Sequence, residues 1–149
     1  KRWLWNYYNR VKRSMIAVDT TNTWNYTTAA FQQANANAAN QLDLVIGVSE
    51  NIVFASVYGT AANGTVPCDL GVGIGLDSTS ANSAQIMHYT VQQVANRAVP
   101  VSAHYRGFPG IGKHLLVWLE YSAATGTTSW LGDGGVAYIQ SGISGETWA

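Results

Sequence analysis

Charged side chains are scarce in this sequence. Its 149 residues include 8 Lys and Arg and 8 Asp and Glu, so 11% are charged and the formal net charge is zero. A typical soluble domain has about 25% charged residues. Phosphate binding requires an excess of positive charge, so no nucleic-acid partner is predicted. Since so few charges protect a monomer poorly against association, we expect much of the surface to be covered, most simply by oligomerisation.

Cysteine, long apolar runs and helical periodicity are scarce as well. The single cysteine, Cys68, excludes an internal disulfide and a cysteine-based zinc site. The sequence has no apolar run of the roughly 18 residues that a membrane-spanning helix needs, so no membrane insertion is predicted. Residues 31–41 are rich in alanine and asparagine but have no apolar stripe beyond Phe31. We predict an ordered loop there, with at most one helical turn.

Strict alternation of apolar and polar residues is the strongest positive signal. It is clearest in residues 68–77, where every second residue from Cys68 to Leu76 is apolar. A period of two predicts a β-strand with one buried face. The other face carries Gly71, Gly73 and Gly75, which weaken a strand unless something approaches closely. We predict a close-packing or assembly face there, approached by an aromatic ring or a neighbouring chain in preference to a small ligand.

Shorter alternating segments recur at intervals of about 8–12 residues with turn residues between them. We predict strands within residues 10–19, 23–27, 41–49, 52–59, 86–94, 98–106, 114–122, 128–131 and 136–139. A Gly- and Ser-spaced tail is expected from residue 142 onward. The Asn63-Gly64 dipeptide predicts a hairpin, so residues 42–77 are predicted to form a three-stranded antiparallel meander. Together these segments predict one all-β domain over residues 1–149, an antiparallel, jelly-roll-like β-sandwich.

Catalytic and cofactor motifs are incomplete. Residues 107–113 match the first seven positions of a P-loop, but His114 replaces the magnesium-binding Ser or Thr and a strand follows. His104 and His114, with Glu120, are candidate metal ligands if a hairpin joins their strands, although two polar surface positions are the favoured interpretation. Neither a nucleophile elbow nor an opposed carboxylate pair is recognisable. We therefore assign no catalytic residue, cofactor or metal.

Aromatic residues are the feature most compatible with binding. Trp5, Trp24 and Trp130 are candidate exposed aromatics that would stack on sugar rings, while burial in the core or between subunits is the favoured alternative for any single one. Trp130 is the strongest candidate, because it lies on a short strand between glycine turns.

Five stretches in order resemble a known family; they are residues 1–10, 23–28, 33–41, 73–79 and 119–128. Their combination is similar to the C-terminal domain of tailed-bacteriophage virion proteins of the tail-fibre, head-fibre or spike type. The resemblance implies a location in the virion, a homotrimeric assembly and contact with other virion proteins. It also implies that the chain is the C-terminal part of a longer virion protein, with structural rather than catalytic residues.

The resulting hypothesis is a bacteriophage structural domain in a fibre, a spike or a capsid-surface projection. Its expected role is adhesive, with a host-surface glycan as the candidate external partner. Such a protein is assembled in the host cytoplasm and is extracellular once the virion is released. Two alternatives stay open: a capsid decoration protein that stabilises the shell without binding the host, and a glycan-degrading enzyme domain.

Overall fold

The computed structural model describes residues 10–148, which form β-strands joined by turns. Helical backbone in this part of the chain is confined to one 3-10 turn at Ala34–Ala36. No helix among the described residues is long and apolar enough to span a bilayer. The strands in chain order are β1 (Lys12–Val18), β2 (Thr23–Tyr26), β3 (Gln32–Gln33), β4 (Gln41–Ile46), β5 (Val53–Asn63), β6 (Cys68–Leu76), β7 (Ile86–His88), β8 (Thr90–Gln92), β9 (Val99–Gly107), β10 (Gly112–Ser122), β11 (Thr128–Leu131) and β12 (Gly142–Trp148).

The strands form two antiparallel sheets, one of seven strands and one of five. In the seven-stranded sheet β5 is central: β9 pairs along one edge, and β12 and β11 share the other. Outside these lie β7 next to β9, β1 next to β12, and β2 next to β11. In the five-stranded sheet β10 is central, with β6 and then β8 on one side and β4 and β3 on the other. The two sheets confirm the predicted all-β sandwich.

The core lies between the sheets and is built from the alternating apolar residues of facing strands. Full burial of a valine or leucine side chain stabilises the fold by about 2 kcal/mol. The buried face predicted for residues 68–77, which includes Cys68, is confirmed. The inward residues of β5 and β6 are at most 2% exposed: Val53, Ala55, Val57, Ala61, Cys68, Leu70, Val72 and Ile74.

The meander predicted for residues 42–77 is wrong, because the chain changes sheet at each connection. β4 and β6 belong to the five-stranded sheet and β5 to the seven-stranded sheet. Asn63 therefore lies at a crossing between sheets instead of in a hairpin. Its buried side-chain amide donates to the carbonyl oxygen of Thr125 at 3.0 Å and to Thr128 Oγ1 at 2.9 Å. The strand predicted over residues 86–94 is likewise two short strands, β7 and β8, in different sheets.

The C-terminal prediction is also wrong. Residues 136–139 form turns, and the Gly- and Ser-spaced tail is the strand β12, inserted between β1 and β5. Small residues are needed there because β12 passes close to the other sheet. A Cβ atom on Gly145 would lie only 2.8 Å from Leu42 Cδ1. The ordered loop predicted for residues 31–41 is confirmed apart from the two-residue strand β3.

Candidate binding face

The close-packing face at the glycines of β6 is covered by the protein's own chain. A Cβ atom on Gly73 would lie 2.6 Å from Asn82 Oδ1 and 3.1 Å from Phe31 Cε1. A Cβ atom on Gly75 would overlap the backbone carbonyl oxygen of Ser78. The close neighbours are therefore one aromatic ring and a loop of the same molecule, and these buried glycines do not offer an assembly face to a second chain.

Hydrogen bonds hold this covering loop against β6. Asn82 Oδ1 accepts from the backbone N–H of Ile74 at 2.9 Å, and Ser83 N–H donates to the Ile74 carbonyl at 2.7 Å. These bonds satisfy the edge of β6 beyond its pairing with β8, where unpaired strand groups would otherwise face solvent. At Gly71 the fit is looser, since a Cβ atom would lie 3.6 Å from the Cβ of Tyr89.

The tryptophans predicted to be exposed are not exposed where the structure describes them. Trp130 is fully buried, because β11 is flanked by β5 and β2 and its ring enters the core; that prediction is wrong. Trp24 is half-buried and packs edge-on against Trp118, with ring centroids 5.9 Å apart. Its Nε1–H donates to Glu120 Oε2 at 2.6 Å, so its polar edge is engaged inside the protein. Trp5 lies outside the described residues.

Glu120 is a fully buried carboxylate that sequence reasoning considered only as a metal ligand. Besides Trp24, it accepts hydrogen bonds from Gln32 Nε2 at 2.8 Å and from the backbone N–H of Asn35 at 3.2 Å. Burial raises the pKa of Glu120, while these three donors oppose the increase. Every donor comes from the segment between β2 and the 3-10 turn, so the carboxylate attaches that segment to β10.

Asp19 is a second buried carboxylate, 3% exposed, close to the first in the fold. It accepts from Asn40 Nδ2 at 2.6 Å, from Thr21 N–H at 2.8 Å and from Asn35 Nδ2 at 3.0 Å. Burial alone would raise the pKa of Asp19, but these hydrogen bonds hold it below its ordinary value. Asn35 thus bonds both carboxylates, with its backbone at a positive φ of 56°. Since all their described partners are structural, we assign both carboxylates to holding the fold.

The hairpin on which the candidate metal site depended is absent, because His104 lies in the seven-stranded sheet and His114 in the five-stranded sheet. Both histidines are partly exposed, as the favoured interpretation of two polar surface positions predicted. His114 Nδ1 lies 2.8 Å from Asp77 Oδ2, and His104 Nδ1 lies 2.9 Å from Ser56 Oγ. Within residues 10–148, no group of three His, Cys, Asp or Glu side chains is placed to hold a metal ion. The P-loop-like residues 107–113 lead directly into β10, as predicted, so they do not open a helix.

The outer face of the seven-stranded sheet is not covered by the rest of the described chain, and we call it the open face. Its residues form three rows that cross β1, β12, β5, β9 and β7, because directly paired residues share a face of a sheet. The first row is Ser14, Glu146, Phe54 and Arg106; the second is Ile16, Ser144, Ser56, His104 and Ile86; the third is Val18, Gly142, Tyr58, Ser102 and His88.

Two shallow grooves flank β5 on the open face. One, of about 600 Å³, lies toward β1 and includes Ile16 and Glu146 in its lining. The other, of about 470 Å³, lies toward β7 and includes Ile86 and Arg106. Ile16 is 75% exposed, Ile86 66% and Tyr58 56%. These apolar, aromatic and hydroxyl groups on a rigid sheet are suited to contact with another molecule.

Charges on the open face lie beside its aromatic residues. The guanidinium of Arg106 lies over the ring of Phe54, 4.8 Å from its centroid. Lys12 Nζ lies 2.5 Å from Glu146 Oε2 in an exposed ion pair. The sequence did not bring these residues together, because their juxtaposition depends on pairings between distant parts of the chain.

No protein-family model matches this chain, and no curated protein matches it in sequence. The virion role implied by the resemblance therefore stays a prediction. The open face is the feature of the described structure that bears most directly on function.

Proposed function

We propose that this chain is a structural and adhesive domain of a bacteriophage virion, located in a fibre, a spike or a projection from the capsid surface. The observation that carries the proposal is the open face: exposed apolar side chains such as Ile16 and Ile86 lie on a rigid sheet. Exposed apolar patches mark surfaces that contact other molecules. On the outer face of the five-stranded sheet, Gly73 and Gly75 are covered by the chain's own loop.

The chemistry of the open face supports binding over turnover. A glycoside hydrolase of the usual kind needs two carboxylates on either side of the scissile bond. Of the two grooves, one has the single carboxylate Glu146 and the other has none in its described lining. The buried carboxylates Asp19 and Glu120 are occupied by hydrogen bonds within the fold.

The jelly-roll connectivity is part of the proposal, and the strand order supports it. Eight strands lie in the order β1-β12-β5-β9 in one sheet and β4-β10-β6-β8 in the other. The chain passes between the sheets at nearly every connection, as two Greek keys wound together would. Jelly rolls form viral capsid and lectin domains, although fold alone does not assign a function.

The proposed partners are further copies of this chain, other virion proteins and a host-surface glycan. The low charge supports self-association, since 8 positive and 8 negative residues leave no net charge to keep copies apart. Threefold assembly, which the resemblance implies, remains one form that this association would take.

Antibodies raised against the purified chain test the virion role. We expect them to label intact virions of the phage whose genome encodes the chain, on the capsid or on the tail. Unlabelled virions whose disassembled proteins also lack the chain would overturn the proposal.

Hydrolysis of host polysaccharide by the purified chain would favour the enzyme alternative. Loss of head stability without loss of adsorption, on deletion of the gene, would favour the decoration protein.

A further inference from the structure

We infer that the open face pairs with the open face of a second copy of the chain, about a two-fold axis that runs along β5. The inference rests on the proposed function and deepens it, because it names the surface through which the chain self-associates. It follows from the side chains that lie at equal distances on the two sides of β5.

A two-fold axis along β5 brings unlike strands into contact. Rotation about this axis lays β12 of one copy over β9 of the other and β1 over β7, while β5 faces itself. A surface of this kind is self-complementary when each residue on one side of the axis suits its counterpart on the other side. Sheets packed face to face lie about 10 Å apart, which lets their side chains interdigitate.

The charges of the first row match under this rotation. Glu146 in β12 and Arg106 in β9 are both paired directly with Phe54 of β5, one on each side. Glu146 of each copy therefore meets Arg106 of the other, giving two carboxylate–guanidinium contacts. Glu146 also pairs with Lys12 of its own chain, and a carboxylate has enough acceptor positions for both cations.

The apolar ends of the second row match as well. Ile16 in β1 and Ile86 in β7 both lie two strands away from β5, at the level of Ser56. Under the same axis Ile16 of each copy lies over Ile86 of the other. These side chains are 75% and 66% exposed in the single chain, so the pairing removes a large apolar area from water.

The grooves also correspond. The groove that includes Glu146 faces the groove that includes Arg106, whose long side chain is able to enter it. A second copy accounts for matched charges and matched isoleucines on both sides of β5. A glycan in either groove would account for only one side, so the second copy is the favoured occupant.

Charge reversal and its rescue test the inference. Sedimentation equilibrium of the purified full chain measures the dissociation constant of the dimer. Glu146→Arg and Arg106→Glu each convert both cross-copy contacts into like-charge contacts, so either variant should raise the dissociation constant more than about a hundredfold. The double variant E146R/R106E restores opposite charges, and its dissociation constant should return to within about tenfold of the unmodified value.

Lys113→Glu is the matched control. It reverses a charge of an exposed ion pair, 3.3 Å from Asp43, on the five-stranded sheet. It should leave the dissociation constant unchanged. Circular dichroism and thermal unfolding of every variant separate a loss of pairing from a loss of folding.

The outcomes separate this inference from the proposed function. A dimer that is broken by each single reversal and restored by the double variant supports the two-fold pairing. A trimer that none of the variants affects would overturn the two-fold pairing and leave the virion role intact. A single chain at micromolar concentration would overturn the pairing, and glycan binding at the open face of that monomer would identify the other occupant. Failure of the virion role would show only in the labelling experiment.

Discussion

On the outer face of the five-stranded sheet, Gly73 and Gly75 lie beneath Phe31 and the loop at residues 78–82, whereas on the outer face of the seven-stranded sheet Ile16 and Ile86 are mostly exposed. The same sandwich therefore covers the glycine-bearing part of one outer face with its own chain and leaves the rows of the other face open. Glycine is the residue type that permits the first arrangement, because only a strand without side chains lets a loop approach its backbone.

This difference shows which outer face the glycines of β6 serve. The glycines of β6 were predicted to be approached by an aromatic ring or a neighbouring chain, and the ring of Phe31 and a loop of the same chain approach them. The surface available for another molecule is instead the one with ordinary strand residues: serines, two isoleucines, Phe54 and Tyr58.

The largest effect is expected from Gly75→Ala. The added methyl would overlap the backbone carbonyl oxygen of Ser78, which is unable to move without displacing the covering loop. We expect the free energy of unfolding to fall by about 3 kcal/mol. Chemical denaturation measures the change.

Gly71→Ala is the matched control, because its methyl would meet the Cβ of Tyr89 at an ordinary 3.6 Å. We expect the free energy of unfolding of this variant to change by less than about 0.5 kcal/mol. Gly73→Ala should lie between the two, since Asn82 must shift from a contact of 2.6 Å. Equal losses at all three glycines would show that the covering loop does not determine their cost.

Asp19→Asn acts on the hydrogen bonds that the buried carboxylate of Asp19 accepts. The new amide nitrogen would face donors such as Asn40 Nδ2, so we expect a loss of about 2 kcal/mol at neutral pH. Because the pKa of Asp19 is lowered in the fold, its contribution is present above its ordinary value of 3.8 and is lost as the pH falls through its folded pKa. The difference in free energy of unfolding between the unmodified protein and Asp19→Asn should therefore become smaller in acid. A difference that is independent of pH would contradict the structural role of the Asp19 carboxylate.

Trp24→Phe removes the shortest hydrogen bond to the buried carboxylate of Glu120. We expect a loss of about 1.5 kcal/mol at pH 7. Without this donor the pKa of Glu120, which burial already raises above its ordinary value of 4.5, should rise further. A carboxyl group with a raised pKa in the fold lowers the free energy of unfolding as the pH increases above its ordinary value, because its proton is then lost more easily in the unfolded chain. The loss of stability caused by Trp24→Phe should therefore be smaller in acid than at pH 7. Trp148→Phe, at a tryptophan that is 45% exposed, should change stability by less than about 0.5 kcal/mol. Similar losses for both variants would contradict the role of the hydrogen bond.

The smallest effect on folding is expected on the open face. Ser144→Tyr adds a whole ring at an exposed position of β12, yet we expect the stability of the single chain to change by less than about 0.5 kcal/mol, because tyrosine suits a strand and nothing in the described chain covers the site. Unfolding measured on dilute protein checks this. A loss comparable with that of Gly75→Ala would mean that the open face is covered after all.

Alternation identified the individual strands well, because burial of one face leaves a local signal. Residues 68–77 were assigned correctly down to the buried face. Strand β12 escaped detection because its glycines and serines carry no apolar period, although it lies beside the central strand.

The pairing of strands was beyond the local sequence. The meander failed because alternation shows which face is buried but does not show which sheet a strand joins. For the same reason the rows of the open face, such as Ser144 beside Ser56 beside His104, were not predictable: they join residues far apart in the chain. Trp130 was misplaced because a short strand between turns was interpreted as peripheral, whereas β11 lies between two other strands.

The most direct test is the mass of the unmodified full chain in solution, measured by light scattering coupled to size-exclusion chromatography at micromolar concentration. We expect twice the mass of one chain, because the proposed two-fold pairing covers the open face of each copy with that of the other. The mass of one chain, or of three chains, would contradict this pairing.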